Sequence, residues 1–86
     1  MTAIMLDARQ LATAQTIARE IGSAFGVARR EWGDSKRAVA ALLHVHEAIV
    51  RDFERGTHHN LKLGNAVRFL DLYGLTLVVQ RKGDAR

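Results

Sequence analysis

Apolar positions recur at helical spacing along most of the chain. Leu11, Ala14, Ala18, Ile21, Phe25, Ala28 and Trp32 follow one another in alternating steps of three and four, which makes one apolar stripe on a helical surface. Asp7 opens the stripe as an N-cap, with Gln10 at the reciprocal position of a capping box, and Gly33 closes it. The pattern leaves open whether this is one helix or two pieces broken near Thr16. Gly22 and Gly26 each lower helix propensity by about 1 kcal/mol relative to alanine, and they can instead let a neighbouring helix come close. Near the end of the chain, Leu63, Val67, Leu70 and Tyr73, helped by Ala66 and Phe69, predict the buried side of a helix over Leu61–Tyr73. Asn60 would cap it and Gly74 would end it. Leu75–Arg81 then changes period to that of a strand. Thr2–Leu6 is apolar and reads as a short strand or a loose arm.

The rest is arranged around Ser35–Gly56. Asp34-Ser35 can cap a first short helix, on which Val39, Ala40 and Leu43 keep helical spacing; Val50 and Phe53 keep it again on a second. Between the two lies a tight turn at His44 that calls for positive φ, which histidine adopts less easily than glycine. Val45 sits in that turn, where it can plug the angle between the helices. The second helix, from His46 to Arg55 with Gly56 as terminator, leaves His46, Glu47, Ala48, Arg51 and Asp52 on its outer face. A helix presented in this way, N-terminus first, can enter a DNA major groove.

This stretch resembles the Cro/phage-repressor (XRE-type) helix-turn-helix family. The residues that carry the resemblance are Arg29 four before Gly33, Ser35-Lys36, Ala40, Leu43, Val45, Val50 and the closing Phe53-Glu54-Arg55-Gly56. With the tail Phe69–Val79, the chain looks most like the small HipB-like antitoxins and plasmid or phage repressors of that family. The resemblance implies a mainly α, lambda-repressor-like DNA-binding domain of four to five helices, with a C-terminal β-strand paired across a dimer. Residues 1–86 then form one helix-turn-helix domain, with an N-terminal arm or helix over 1–16 and a helical core over 17–73. The helix-turn-helix itself lies at 35–56, and a dimerisation strand at 75–81 pairs through Leu75, Leu77, Val78 and Val79. A lone strand leaves its amides without partners, and Thr2–Leu6 is the alternative to a second subunit. The resemblance also implies that Arg29 pairs with Glu54 and does not reach DNA, and that Lys36 faces a phosphate from a helix N-terminus. His44, where glycine is common, and Glu47 and Asp52, where neutral polar residues are common, depart from the family pattern.

Composition narrows the partners. The chain has 86 residues and a formal charge of +4, with an isoelectric point near 10.4, a balance that favours a polyanion. A domain this small buries proportionally little surface, so association is a natural supplement. With no cysteine, neither a disulfide nor a thiolate metal site can staple it. His44 and His46 with Glu47, or His58 with His59, lack the spacing of a closed tetrahedral metal site. No nucleophile elbow, phosphate loop or carboxylate pair surrounds them, which points away from an enzyme and from a cofactor. The apolar stretches are too short for a membrane span, and the N-terminus lacks the form of a signal peptide. A cytoplasmic, nucleoid-associated protein is expected. Trp32 and Tyr73, each near the end of an apolar stripe, read as core or dimer packing ahead of base-stacking platforms.

These readings converge on a homodimeric, autoregulatory repressor of a palindromic double-stranded operator. His46, Glu47, Ala48 and Arg51 would read bases, and Ser35, Lys36, Arg37, Thr57, His58 and Lys62 would fix register through phosphates. Two alternatives belong to other classes: an antitoxin whose main work is to neutralise a toxin protein, and a protein-binding module that has lost DNA binding. The acidic Glu47 and Asp52 motivate the second.

Overall fold

A computed structural model describes residues 7–57, 62–78 and 80; statements of structure concern these residues. They form four helices: α1 (Ala8–Trp32), α2 (Lys36–Leu43), α3 (Glu47–Arg55) and α4 (Leu63–Asp71). The protein is mainly α, and none of the described helices is long and apolar enough to cross a membrane.

The α1 stripe is one unbroken helix of 25 residues, with no interruption at Thr16. Its N-terminus carries the full capping box. Asp7 accepts from the Gln10 amide at 2.8 Å, and the Asp7 amide donates to the Gln10 side chain at 3.1 Å. The first three helices end in left-handed residues, Gly33, His44 and Gly56. After each, two successive amides turn back onto carbonyls of the last turn, so the orphan acceptors of the helix end are used.

Gly22 and Gly26 let α3 come close. A Cβ at Gly22 would lie 2.1 Å from the carbonyl oxygen of Phe53, and one at Gly26 would lie 2.8 Å from the Glu54 carboxylate. The two helices therefore cross backbone to backbone, and the lost propensity of two mid-helix glycines is the cost of that contact.

The core consists of Phe25 from α1, Val39, Ala40 and Leu43 from α2, Val50 and Phe53 from α3, and Ala66, Phe69 and Leu70 from α4. Phe25, Phe53 and Phe69 meet with centroids 4.8–5.9 Å apart, within the range in which tilted and edge-on aromatic pairs attract. Tyr73 adds an edge contact to Phe25 at 5.4 Å. Arg68 reaches from α4 to donate to the Leu43 carbonyl, placing a cation on the C-terminus of α2.

Three sequence expectations change. The first half of the α1 stripe is not core: Leu11 is 49% exposed and Ala14 is open to solvent, because the shorter helices pack only against the second half. Of the two packings expected for Trp32, core or dimer, the core one does not occur: Trp32 is 73% exposed and lies beside Tyr73. In α4, which runs over Leu63–Asp71 and not Leu61–Tyr73, the buried face is Ala66, Phe69 and Leu70; Leu63 and Val67 are 71% and 50% exposed. Seating Phe69 between Phe25 and Phe53 turns the helix by about one position. Lys62 stands at its N-cap, and Asn60 lies outside the described residues.

The C-terminal segment also differs. Leu75 packs against the core and donates its amide to the Leu70 carbonyl, while Leu77 and Val78 are exposed. No strand is present among the described residues. Strand hydrogen bonds need a facing edge, and the described part of one chain offers none. Val79 and Thr2–Leu6 lie outside the described residues.

Candidate nucleic-acid interface

The candidate interface comprises α2, the turn after it and α3. Ser35 caps α2 by accepting from the Ala38 amide at 3.0 Å; its own hydroxyl proton stays available to an acceptor. Lys36 follows in the first turn, half-buried, and Arg37 is exposed.

The turn is formed by His44 at φ 57°, ψ 45°. The amides of His44 and Val45 return to the carbonyls of Ala41 and Ala40 at 3.3 and 3.0 Å. Histidine thus occupies a conformation that side chains rarely adopt, and its ring remains exposed. Val45 packs partly buried against the core, filling the angle between the two helices.

On α3, Val50 and Phe53 face fully inward at 0% and 1% exposure. His46, Glu47, Ala48 and Arg51 are all exposed. His46 occupies the N-cap without a side-chain cap bond, so the first amides of α3 are not taken by a side chain. The Arg51 Nε donates to Asp52 at 3.1 Å. That pair uses one of the five guanidinium N–H groups, and among the described residues neither terminal nitrogen has a hydrogen-bond partner, which suits a bidentate acceptor.

Arg29 and Glu54 lie behind α3. Arg29 Nε donates to Glu54 Oε2 at 2.7 Å and Nη2 donates to Oε1 at 3.1 Å, a two-pronged pair with both side chains 10% exposed. Nη1 donates to the Asp34 carbonyl at 2.9 Å. One guanidinium therefore holds α1, the α1–α2 turn and the end of α3 together. The Glu54 hydrogen bond, against the opposing effect of burial, raises the Arg29 pKa further above its ordinary value. The negative charge of Glu54 is consequently turned toward Arg29 and Arg30.

Asp34 and Tyr73 complete this brace, a pairing that the sequence pattern, with Asp34 as a cap and Tyr73 as core or dimer packing, does not reveal. The Tyr73 hydroxyl donates to Asp34 at 2.9 Å. Burial, followed by that hydrogen bond, pushes the phenol up to about 12. The available signal was two polar groups beside glycines that end helices, which gives no sign that they meet.

Thr57 is exposed and donates to the Asp52 carbonyl at 3.4 Å, and Lys62 is exposed at the start of α4. His58 lies outside the described residues. No group of three or more His, Cys, Asp or Glu positioned to hold a metal occurs among the described residues.

Compared with family models, curated proteins and solved structures, the chain matches none.

Proposed function

We propose that the chain is a sequence-specific double-stranded DNA-binding repressor with a lambda-repressor-like, XRE-type helix-turn-helix domain. It works as a homodimer on a palindromic operator, in the cytoplasm, and regulates its own small operon. The observation that carries the reading is the division of α3. Val50 and Phe53 are buried against the core while His46, Glu47, Ala48 and Arg51 are exposed at the start and along the length of the helix. Two such helices about 34 Å apart would enter successive major grooves on one side of the duplex.

Each exposed group then has a chemistry. Glu47 accepts from cytosine N4, Ala48 meets a thymine methyl, and Arg51 grips a guanine edge through its two terminal nitrogens. Asp52, held to Arg51 Nε, aims that guanidinium. Its charge thereby supports the arginine and stops being a simple repulsion. Lys36, Arg37, Thr57 and Lys62, with Ser35 and His58, set register on phosphates. The tail from Leu75 to Val79 joins two copies, and covering a promoter is sufficient for repression.

Selection of duplexes from a random pool, followed by affinity measurement over a salt series, tests the reading. The expected result is a two-fold symmetric enriched sequence whose affinity falls steeply with salt, as released counterions require. No enriched sequence together with a salt-insensitive affinity would overturn it.

A further inference from the structure

A second surface lies away from the outer face of α3. The exposed first half of α1, the end of α3 and the start of α4 enclose an open groove of about 640 Å³. Leu11, Ile17 and Ile21 along α1 and Leu63 from α4 give it an apolar floor and wall. Leu11, Ile17 and Leu63 are 49%, 50% and 71% exposed, so large apolar side chains stand open along it. From Leu11 to Ile21 the groove follows about 15 Å of helix axis, close to three turns.

Its charge is one-sided. Arg19 and Arg55 line it, and no carboxylate does among the described residues; Lys62 is exposed at the adjoining start of α4. We propose that this groove is a docking site for an amphipathic helix of a partner protein whose apolar stripe is flanked by carboxylates. The apolar stripe would lie on Leu11, Ile17 and Leu63, and the flanking acids would meet Arg19 and Arg55. This is helix-in-groove recognition, with opposite charges fixing register and excluding basic partners. A strand is a poorer occupant, since the walls are helices and present no edge to extend. A second copy of this chain is poorer too: it carries +4 and would bring like charge to a cationic rim. The groove shares Thr57 with the proposed phosphate contacts and adjoins Lys62, whereas His46, Glu47, Ala48 and Arg51 do not line it; the peptide test uses no DNA and so fails or succeeds separately from the DNA-binding reading.

The test uses the full chain and a fluorescein-labelled synthetic helix with leucines at i, i+3 and i+7 and glutamates elsewhere, read by anisotropy. A matched peptide with lysine for every glutamate is the control. The acidic peptide is expected to bind at least about tenfold more tightly, with affinity falling as salt rises. Ala14→Glu, on an exposed position of the groove, is expected to abolish binding with the helical circular dichroism signal unchanged. Arg19→Gln with Arg55→Gln leaves the floor intact and is expected to erase the preference for the acidic peptide. Equal binding of both peptides, no binding of either, or full binding to Ala14→Glu would each overturn the proposal. So would a dimer in sedimentation that Ala14→Glu dissolves, because the occupant would then be a second copy.

Discussion

The Tyr73 hydroxyl donates to the Asp34 carboxylate at 2.9 Å across 39 residues of sequence, pinning the end of α4 to the turn between α1 and α2. Arg29 reaches the carbonyl of that same Asp34 while clasping Glu54. The buried hydrogen bonds and the aromatic cluster thus converge on the turn that precedes α2, and they fix the direction in which α2 and α3 are presented.

That link has a pH signature. The phenol ordinarily loses its proton near 10 and in the fold holds it to about 12. The folded state binds this proton more tightly, so the stabilisation is complete below the unfolded value and is lost as pH rises through the folded one. Urea midpoints are expected to fall between pH 10 and 12, and Tyr73→Phe to flatten that part of the fall. The chain has one tyrosine, so phenolate absorbance reports the group directly, and a folded-state midpoint near 10 would contradict the assignment.

Arg29→Ala leaves the Glu54 carboxylate, 10% exposed, with only the exposed Arg30 guanidinium 3.9 Å away and is expected to cost roughly 3 kcal/mol in urea unfolding. Arg29→Met combined with Glu54→Leu removes both charges and is expected to recover much of that loss. Equal losses in the single and double variants would show that the pair does not act as a unit.

Two glycines in helices are expected to respond with opposite sign. At Gly22 an added methyl meets the Phe53 carbonyl oxygen at 2.1 Å, so Gly22→Ala forces α1 off α3 and costs about 3 kcal/mol or more. At Gly64 an added Cβ meets nothing within 4 Å, and Gly64→Ala is expected to stabilise by up to about 1 kcal/mol. Thermal unfolding of the two variants separates the close crossing from ordinary propensity.

On the selected operator, Arg51→Ala is expected to cost about 1–3 kcal/mol and to relax one base position. Asp52→Ala, which frees Arg51 Nε, is expected to relax the same position with a smaller loss. Lys36→Ala is expected to weaken all duplexes alike and to lower the salt slope by about one. Binding measured on operator and scrambled duplexes distinguishes these outcomes, and a changed base preference in the lysine variant would contradict its assignment to a phosphate.

The centre of the fold was legible because its signals are local. Val39, Ala40, Leu43, Val50 and Phe53 repeat at helical spacing around a terminator, and all five are buried. The capping box of Asp7 and Gln10 was likewise readable from two residues. The ends were less legible, because an apolar stripe states which face is apolar and not how far the neighbouring helices extend. This is why Leu11, Ala14 and Trp32 were expected inside. In α4 two faces have helical spacing, Leu63–Val67–Leu70 and Ala66–Phe69–Leu70–Tyr73. The choice between them was made by the fit of Phe69 beside Phe25 and Phe53, a contact among distant parts of the chain. The Asp34–Tyr73 bond escaped for the same reason.

The core draws on α1 only from about Gly22 onward, and the preceding turns lean on little of their own chain. Mutational drift at Leu11, Ala14 or Ile17 would consequently meet little resistance from the demands of folding. That half of the helix can change its sequence while Gly22, Phe25 and Arg29 stay fixed.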